Sequence, residues 1–219
     1  MRRQQSGFTL VEIAIVLVII GLLLGGILKG QELINSAKVK NLANDFRVIP
    51  TYIYAYQDKF RSLPGDDTQA TTHINCGTGS SACANGNGNG VIDGNWDAST
   101  GESFQFWQQV RYANLAAGPT ATDDPTYLPQ NAVGGKLGIT SATTTQTVAG
   151  ITGTYVVCSS GVLGKFAKQL DIQMDDGNTA TGSMRTVGDG SGTLVDNAGA
   201  AVPTASIDDS KTYQVCMGF

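Results

Sequence analysis

The chain has 219 residues, 41% hydrophobic and 15% charged, with 28 glycines, four cysteines and a single histidine. Its 18 acidic and 14 basic side chains leave a net charge of −4, which argues against a broad basic surface for nucleic acid. One histidine, with no P-loop, nucleophile elbow or dinucleotide-binding glycine pattern, supplies no catalytic constellation, so no enzyme is expected.

The first element is an apolar run, GFTLVEIAIVLVIIGLLLGGIL, at residues 7–28. From Phe8 to Leu28 it makes about 30 Å of helix, enough to cross a bilayer core. Glu12 is the one charge inside it. Burying a lone carboxylate there costs roughly 2.5–3.5 kcal/mol, so the residue points to function. A cut between Gly7 and Phe8 would free an α-amine four residues from Glu12. The pair can then form within one chain or, in an array of such helices, between neighbours, and a charge satisfied by a neighbour drives assembly. Arg2 and Arg3 precede the run, and the positive-inside rule puts them in the cytoplasm and the head outside it. The four cysteines then lie where disulfides persist.

The basic leader MRRQQSG, followed by FTLVE and an apolar helix, resembles the signature of type IV pilins and type II secretion pseudopilins. The resemblance implies that a prepilin peptidase cuts after Gly7, that Phe8 becomes a methylated N-terminus, and that Glu12 directs assembly. It implies self-association, an inner-membrane assembly platform as partner, and a bacterial origin. The head would lie in the periplasm before assembly, and later on a pilus at the cell surface or in a periplasmic pseudopilus. Residues 1–7 would be the leader, 8–28 the transmembrane and assembly helix, 29–61 its continuation, and 62–219 the head. FRSLPGDD at 60–67 and LDIQMDDGNTATGSM at 170–184 add weaker likeness. An ordinary secretory signal fits less well, because the run exceeds a typical h-region and lacks an A-x-A-like cleavage site. Three functions are expected in order: a pilus subunit serving processes such as adhesion, a secretion pseudopilin, and a membrane-anchored calcium-dependent binding module that never polymerises.

Beyond the anchor, Leu42, Phe46, Ile49, Ile53, Tyr56 and Phe60 recur at spacings of 4, 3, 4, 3 and 4, one stripe of a continuing helix. Pro50 is expected to kink it, and Leu63-Pro64-Gly65-Asp66 to end it near Arg61. Tyr52, Tyr54 and Tyr56 are read as core. Residues 29–61 carry a net of +3, and residues 62–219 carry six basic and fourteen acidic side chains. Ser99-Thr100-Gly101-Glu102 has capping-box spacing and predicts a helix through Phe104, Trp107, Val110 and Leu115, stopped by Gly118-Pro119. Residues 119–150 read as loop with a short strand near Leu137–Ile139. A strand at Thr154–Cys158 follows, then a helix carrying Val162, Leu163, Phe166, Ala167 and Leu170, a turn at 175–178, and a final strand at Thr212–Cys216. A long helix followed by a small antiparallel sheet is an α+β fold.

Two features of the head invite chemistry. Asn85, Asn87, Asn89, Gly90, Ile92 and Asp93 match positions 1, 3, 5, 6, 8 and 9 of an EF-hand-type calcium loop, with the Val91 carbonyl as a further ligand. Three ligands are neutral and Trp96 stands where the bidentate Glu belongs, so Asp97, Glu102, Asp66 or Asp67 would have to complete the shell. The resemblance to secretion pseudopilins favours calcium, and a plain Gly/Asn turn is the alternative. The cysteines Cys76, Cys83, Cys158 and Cys216 allow three pairings. Local pairing, Cys76 with Cys83 and Cys158 with Cys216, is the expectation, the second following the C-terminal disulfide of many pilins. Their spacing does not suit zinc. His73 is read as an exposed loop residue.

Overall fold

The computed structural model describes residues 9–142, 148–192 and 199–219. Its first element, α1, is one helix from Leu10 to Phe60. Pro50 falls inside it without ending it. The chain divides after Ala37 into an N-terminal unit and a head unit, Lys38–Phe219.

The N-terminal unit is long and apolar enough to cross a membrane and buries none of its span. Burial begins at Val39 and continues through Leu42, Ala43, Phe46, Ile49, Ile53 and Tyr56. These residues carry the helical stripe read from the sequence, so the head half of α1 is amphipathic where the first half is apolar all round. Tyr54 departs from expectation. It lies on the outer face, 58% exposed, because it sits two residues from Tyr56 and so across the helix.

The head holds α2 (Ala70–His73), α3 (Glu102–Tyr112), α4 (Gly164–Met174) and strands β1 (Leu137–Ser141), β2 (Tyr155–Leu163), β3 (Met184–Val187) and β4 (Thr212–Gly218). The four strands form one sheet in the order β1-β2-β4-β3, every neighbouring pair antiparallel. Strand side chains alternate between faces. Val157 and Val215 face a core with the α1 stripe, Phe106 and Trp107 of α3, and Phe166 and Leu170 of α4. Val156, Cys158, Val187 and Cys216 face a second cluster around Trp96.

Several expected boundaries move. Val162 and Leu163 end β2 instead of opening α4, because the β2–β4 register shifts between Ser159 and Val162 and Gly161 takes a φ of 68°, the bulge that lets the strand continue. α3 stops at Tyr112, short of Leu115. Asn114 adopts a φ of 60°, and the Leu115 N–H reaches back to the Val110 carbonyl at 2.9 Å, a Schellman end that Gly118-Pro119 does not supply. At the start of α3, Gly101 is the N-cap, with no side-chain cap bond. The capping box is not formed, because the Glu102 carboxylate is engaged by the loop before it, described below. Neither β3 nor α2 was expected. At four residues each, they are too short for periodicity to reveal.

Candidate functional site

At the N-terminus of α1, Thr9 and Glu12 form a reciprocal pair. The Thr9 N–H donates to Glu12 Oε2 at 2.8 Å, and the Glu12 N–H donates to Thr9 Oγ1 at 3.3 Å. The Thr9 hydroxyl also donates to Glu12 Oε2 at 2.7 Å. This is a capping box, which ties up two otherwise free donors of the first turn. It holds the carboxylate beside the helix start rather than along the apolar wall. Gly7 and Phe8 lie outside the described residues. Around Glu12, Leu10, Val11, Ile13, Leu17 and Val18 are half to nearly fully exposed. Among the described residues, nothing covers apolar surface of that extent.

The Asn85–Asp93 loop is organised around protein carboxylates. The N–H groups of Gly88, Asn89 and Gly90 donate to Asp66. Those of Asn87 and Asp93 donate to Glu102 at 2.9 and 3.0 Å. Both acids are buried, and five amides provide the solvation they have lost. Burial raises the Glu102 carboxyl above its ordinary range. The two amide bonds oppose that rise, and the neighbouring charges of Asp66 and Asp93 add to it.

The five expected ligands are therefore disposed differently from a simple oxygen cage. Asn85 Oδ1 accepts from the Thr71 N–H and hydroxyl. The side-chain NH2 groups of Asn87 and Asn89 both donate to Asp93 Oδ2 at 2.9 Å, and the Val91 N–H donates to Asn89 Oδ1. Of the acids expected to complete the shell, Asp66 and Glu102 reach the loop. Asp97 pairs with Lys136 at 3.1 Å. Asp67 accepts from Tyr56 at 2.8 Å.

His73 was expected to be exposed. It lies half-buried on α2, its ring stacked on Phe60 at 5.3 Å and its Nδ1 2.7 Å from Asp67. Burial pushes the Asp67 carboxyl up, but hydrogen bonds from His73, the Gln69 N–H and Tyr56 outweigh it and hold the group below the ordinary range. The cluster joins α1 to the segment after it.

Both disulfides form with the expected local pairing, Cys76–Cys83 and Cys158–Cys216. Cys158 and Cys216 face each other across β2 and β4. Their sequence separation of 58 is worth about 4 kcal/mol on chain-entropy arguments, against about 2.4 kcal/mol for the separation of 7 at Cys76–Cys83.

A group absent from the sequence expectations stands at the end of α4. One carboxylate oxygen from each of Asp171, Asp175 and Asp176 lies within 4.8 Å of the others, an arrangement able to hold a metal ion. Its visible sequence signal is D-x-x-x-D-D at residues 171–176, within the stretch 170–184 of weaker family likeness and overlapping the turn expected at 175–178.

Residues 2–28 match the family model of the prokaryotic N-terminal methylation motif. This is the prepilin-type signature of type IV pilins and pseudopilins, which are structural subunits rather than enzymes. The chain matches no curated protein and no solved structure.

Proposed function

We propose that the chain is a structural subunit of a type IV pilus-like filament, polymerising through its N-terminal helix. The observation that carries this reading is the methylation motif over residues 2–28 on a helix whose apolar span is wholly unburied. Prepilin peptidase removes residues 1–7, and Phe8 is methylated. The new amine then lies one residue before Thr9, whose N–H the Glu12 carboxylate already accepts. A neighbour's amine, or the chain's own, neutralises Glu12 in the membrane, and the match between them sets the stagger of subunits. Before assembly the apolar span anchors the chain in the inner membrane with the head in the periplasm. After assembly the same surface is covered by other copies.

A secretion pseudopilus uses the same segment, and the long head favours the pilus. A calcium-dependent module that does not polymerise gains less support, because the Asn87 and Asn89 amide groups are turned to Asp93 as donors. Intact-mass and N-terminal peptide spectrometry of the protein from intact cells tests the processing step. A chain starting at methylated Phe8 is expected. A chain still starting at Met1, or cut beyond the apolar run, overturns the reading.

A further inference from the structure

We propose that Asp171, Asp175 and Asp176 form a binding site for a hard divalent cation, calcium in preference to magnesium, at the C-terminal end of α4. Three carboxylate oxygens already converge within 4.8 Å. The second and independent observation is Asp171 itself. It is 0% exposed, and both of its oxygens are buried without a hydrogen-bond partner. A carboxylate in that state is costly unless a cation or donor meets it.

The local field makes the need for a cation greater. The cluster occupies the last turn of α4 and the residues just past it, where the helix dipole is negative, and that turn has no basic residue. Arg185 tempers Asp176, but its guanidinium is held by the Gly182 and Ala149 carbonyls. No ion pair to any of the three is present among the described residues. Burial first, then the charges of Asp175 and Asp176, lift the Asp171 carboxyl to about 6. The Gly177 N–H eases that rise without closing a hydrogen bond.

The other two acids are fixed in advance. Asp175 accepts from the Met184 N–H at 2.8 Å and the Ser183 hydroxyl at 3.2 Å. Asp176 accepts from the Asn178 N–H at 2.8 Å and the Thr181 hydroxyl at 2.7 Å. A carboxylate oxygen with one such bond keeps a lone pair for a metal, and ligands oriented by outer bonds lose less freedom on binding. Burial is graded, with Asp171 buried, Asp175 half-buried and Asp176 exposed, so the ion would enter from the Asp176 side and keep water on that face. All-oxygen ligands from an irregular loop suit calcium, whereas magnesium demands stricter octahedral geometry. Through Asp175 and its bond to Met184, the ion would clamp α4 to the start of β3. This inference stands apart from the filament reading, and neither depends on the other.

The test is a melting curve of the full-length chain in detergent, followed by fluorescence of the buried Trp96 and Trp107, in calcium, magnesium or chelator. At a hundredfold excess over the dissociation constant, calcium should raise Tm by roughly 5–10 °C, with magnesium doing less. Asp171→Asn should abolish the response and melt no lower than the native chain in chelator, since it removes the uncompensated charge. The exposed Asp176→Asn should weaken the response if Asp171→Asn does not fold. Asp93→Ala should leave it intact. Equal Tm in calcium and chelator for the native chain overturns the proposal. So does a response that survives Asp171→Asn, or one lost only in Asp93→Ala, which would move the ion to the Asn85–Asp93 loop.

Discussion

From Leu10 to Ala37, α1 buries no side chain, whereas from Val39 onward the same helix buries every third or fourth residue. The glycines differ in the same way. A Cβ at Gly21, Gly25, Gly26 or Gly30 would meet nothing within 4 Å, while one at Gly138 in β1 would collide with the Trp96 carbonyl. At Gly138, and likewise at Gly135, Gly164 and Gly218, glycine is required by the head's own packing. In the first half of α1 each costs up to about 1 kcal/mol of helix propensity with no packing return among the described residues. The pairs Gly21/Gly25 and Gly26/Gly30 have the spacing that lets a second helix approach closely. The lesson is that the head answers to its own core, and the first half of α1 to surfaces outside the chain.

The sharpest way to break that contrast is to truncate one large side chain in each half. Phe46, 0% exposed, should cost roughly 3–5 kcal/mol as Phe46→Ala. Leu22, 73% exposed, should leave head stability unchanged as Leu22→Ala. Denaturant titration of both variants in detergent, read by tryptophan fluorescence, decides it. A Leu22→Ala loss comparable to that of Phe46→Ala would mean that the two halves are not energetically distinct.

A smaller effect separates the charges of the two halves. Lys29 and Glu32 pair at 2.6 Å but are 73% and 69% exposed, so the pair contributes little. Asp45, in the head half, is half-buried, and burial lifts its carboxyl to about 6. Between its ordinary value and 6, the folded chain binds the extra proton. Asp45 therefore favours folding at low pH, and stability falls as pH rises through 6. Asp45→Asn should raise stability at pH 7.5 by about 1 kcal/mol, reduced from the full shift by partial solvent screening, and change little at pH 4. A larger gain at pH 4 than at pH 7.5 would contradict the assignment.

How much of this was legible follows the same division. The apolar run and the 3–4 spacing of Leu42 to Phe60 carry long periodic signals, and α1 matches them. Thr9 and Glu12 also show capping-box spacing, which lies inside the apolar run where the lone charge is the stronger signal. The same spacing at Ser99–Glu102 misled, because amides of Asn87 and Asp93, 15 and 9 residues away, compete for the carboxylate. Local spacing cannot reveal a tertiary competitor. The His73–Asp67–Tyr56 contacts and the unpartnered state of Asp171 were hidden for the same reason. The bulge that extends β2 through Leu163 depends on β4, almost fifty residues later.

The measurement that bears most directly on the central claim is filament yield from cells carrying Glu12→Val, read beside the melting of the same purified chain. Insertion becomes easier without the charge, and Glu12 lies outside the head unit, Lys38–Phe219, so Tm should equal that of the native chain. Sheared filaments should fall to a few per cent of the native yield or less, since assembly loses its intersubunit charge match. Native filament yield from Glu12→Val cells, or a head that unfolds with the substitution, would contradict the account.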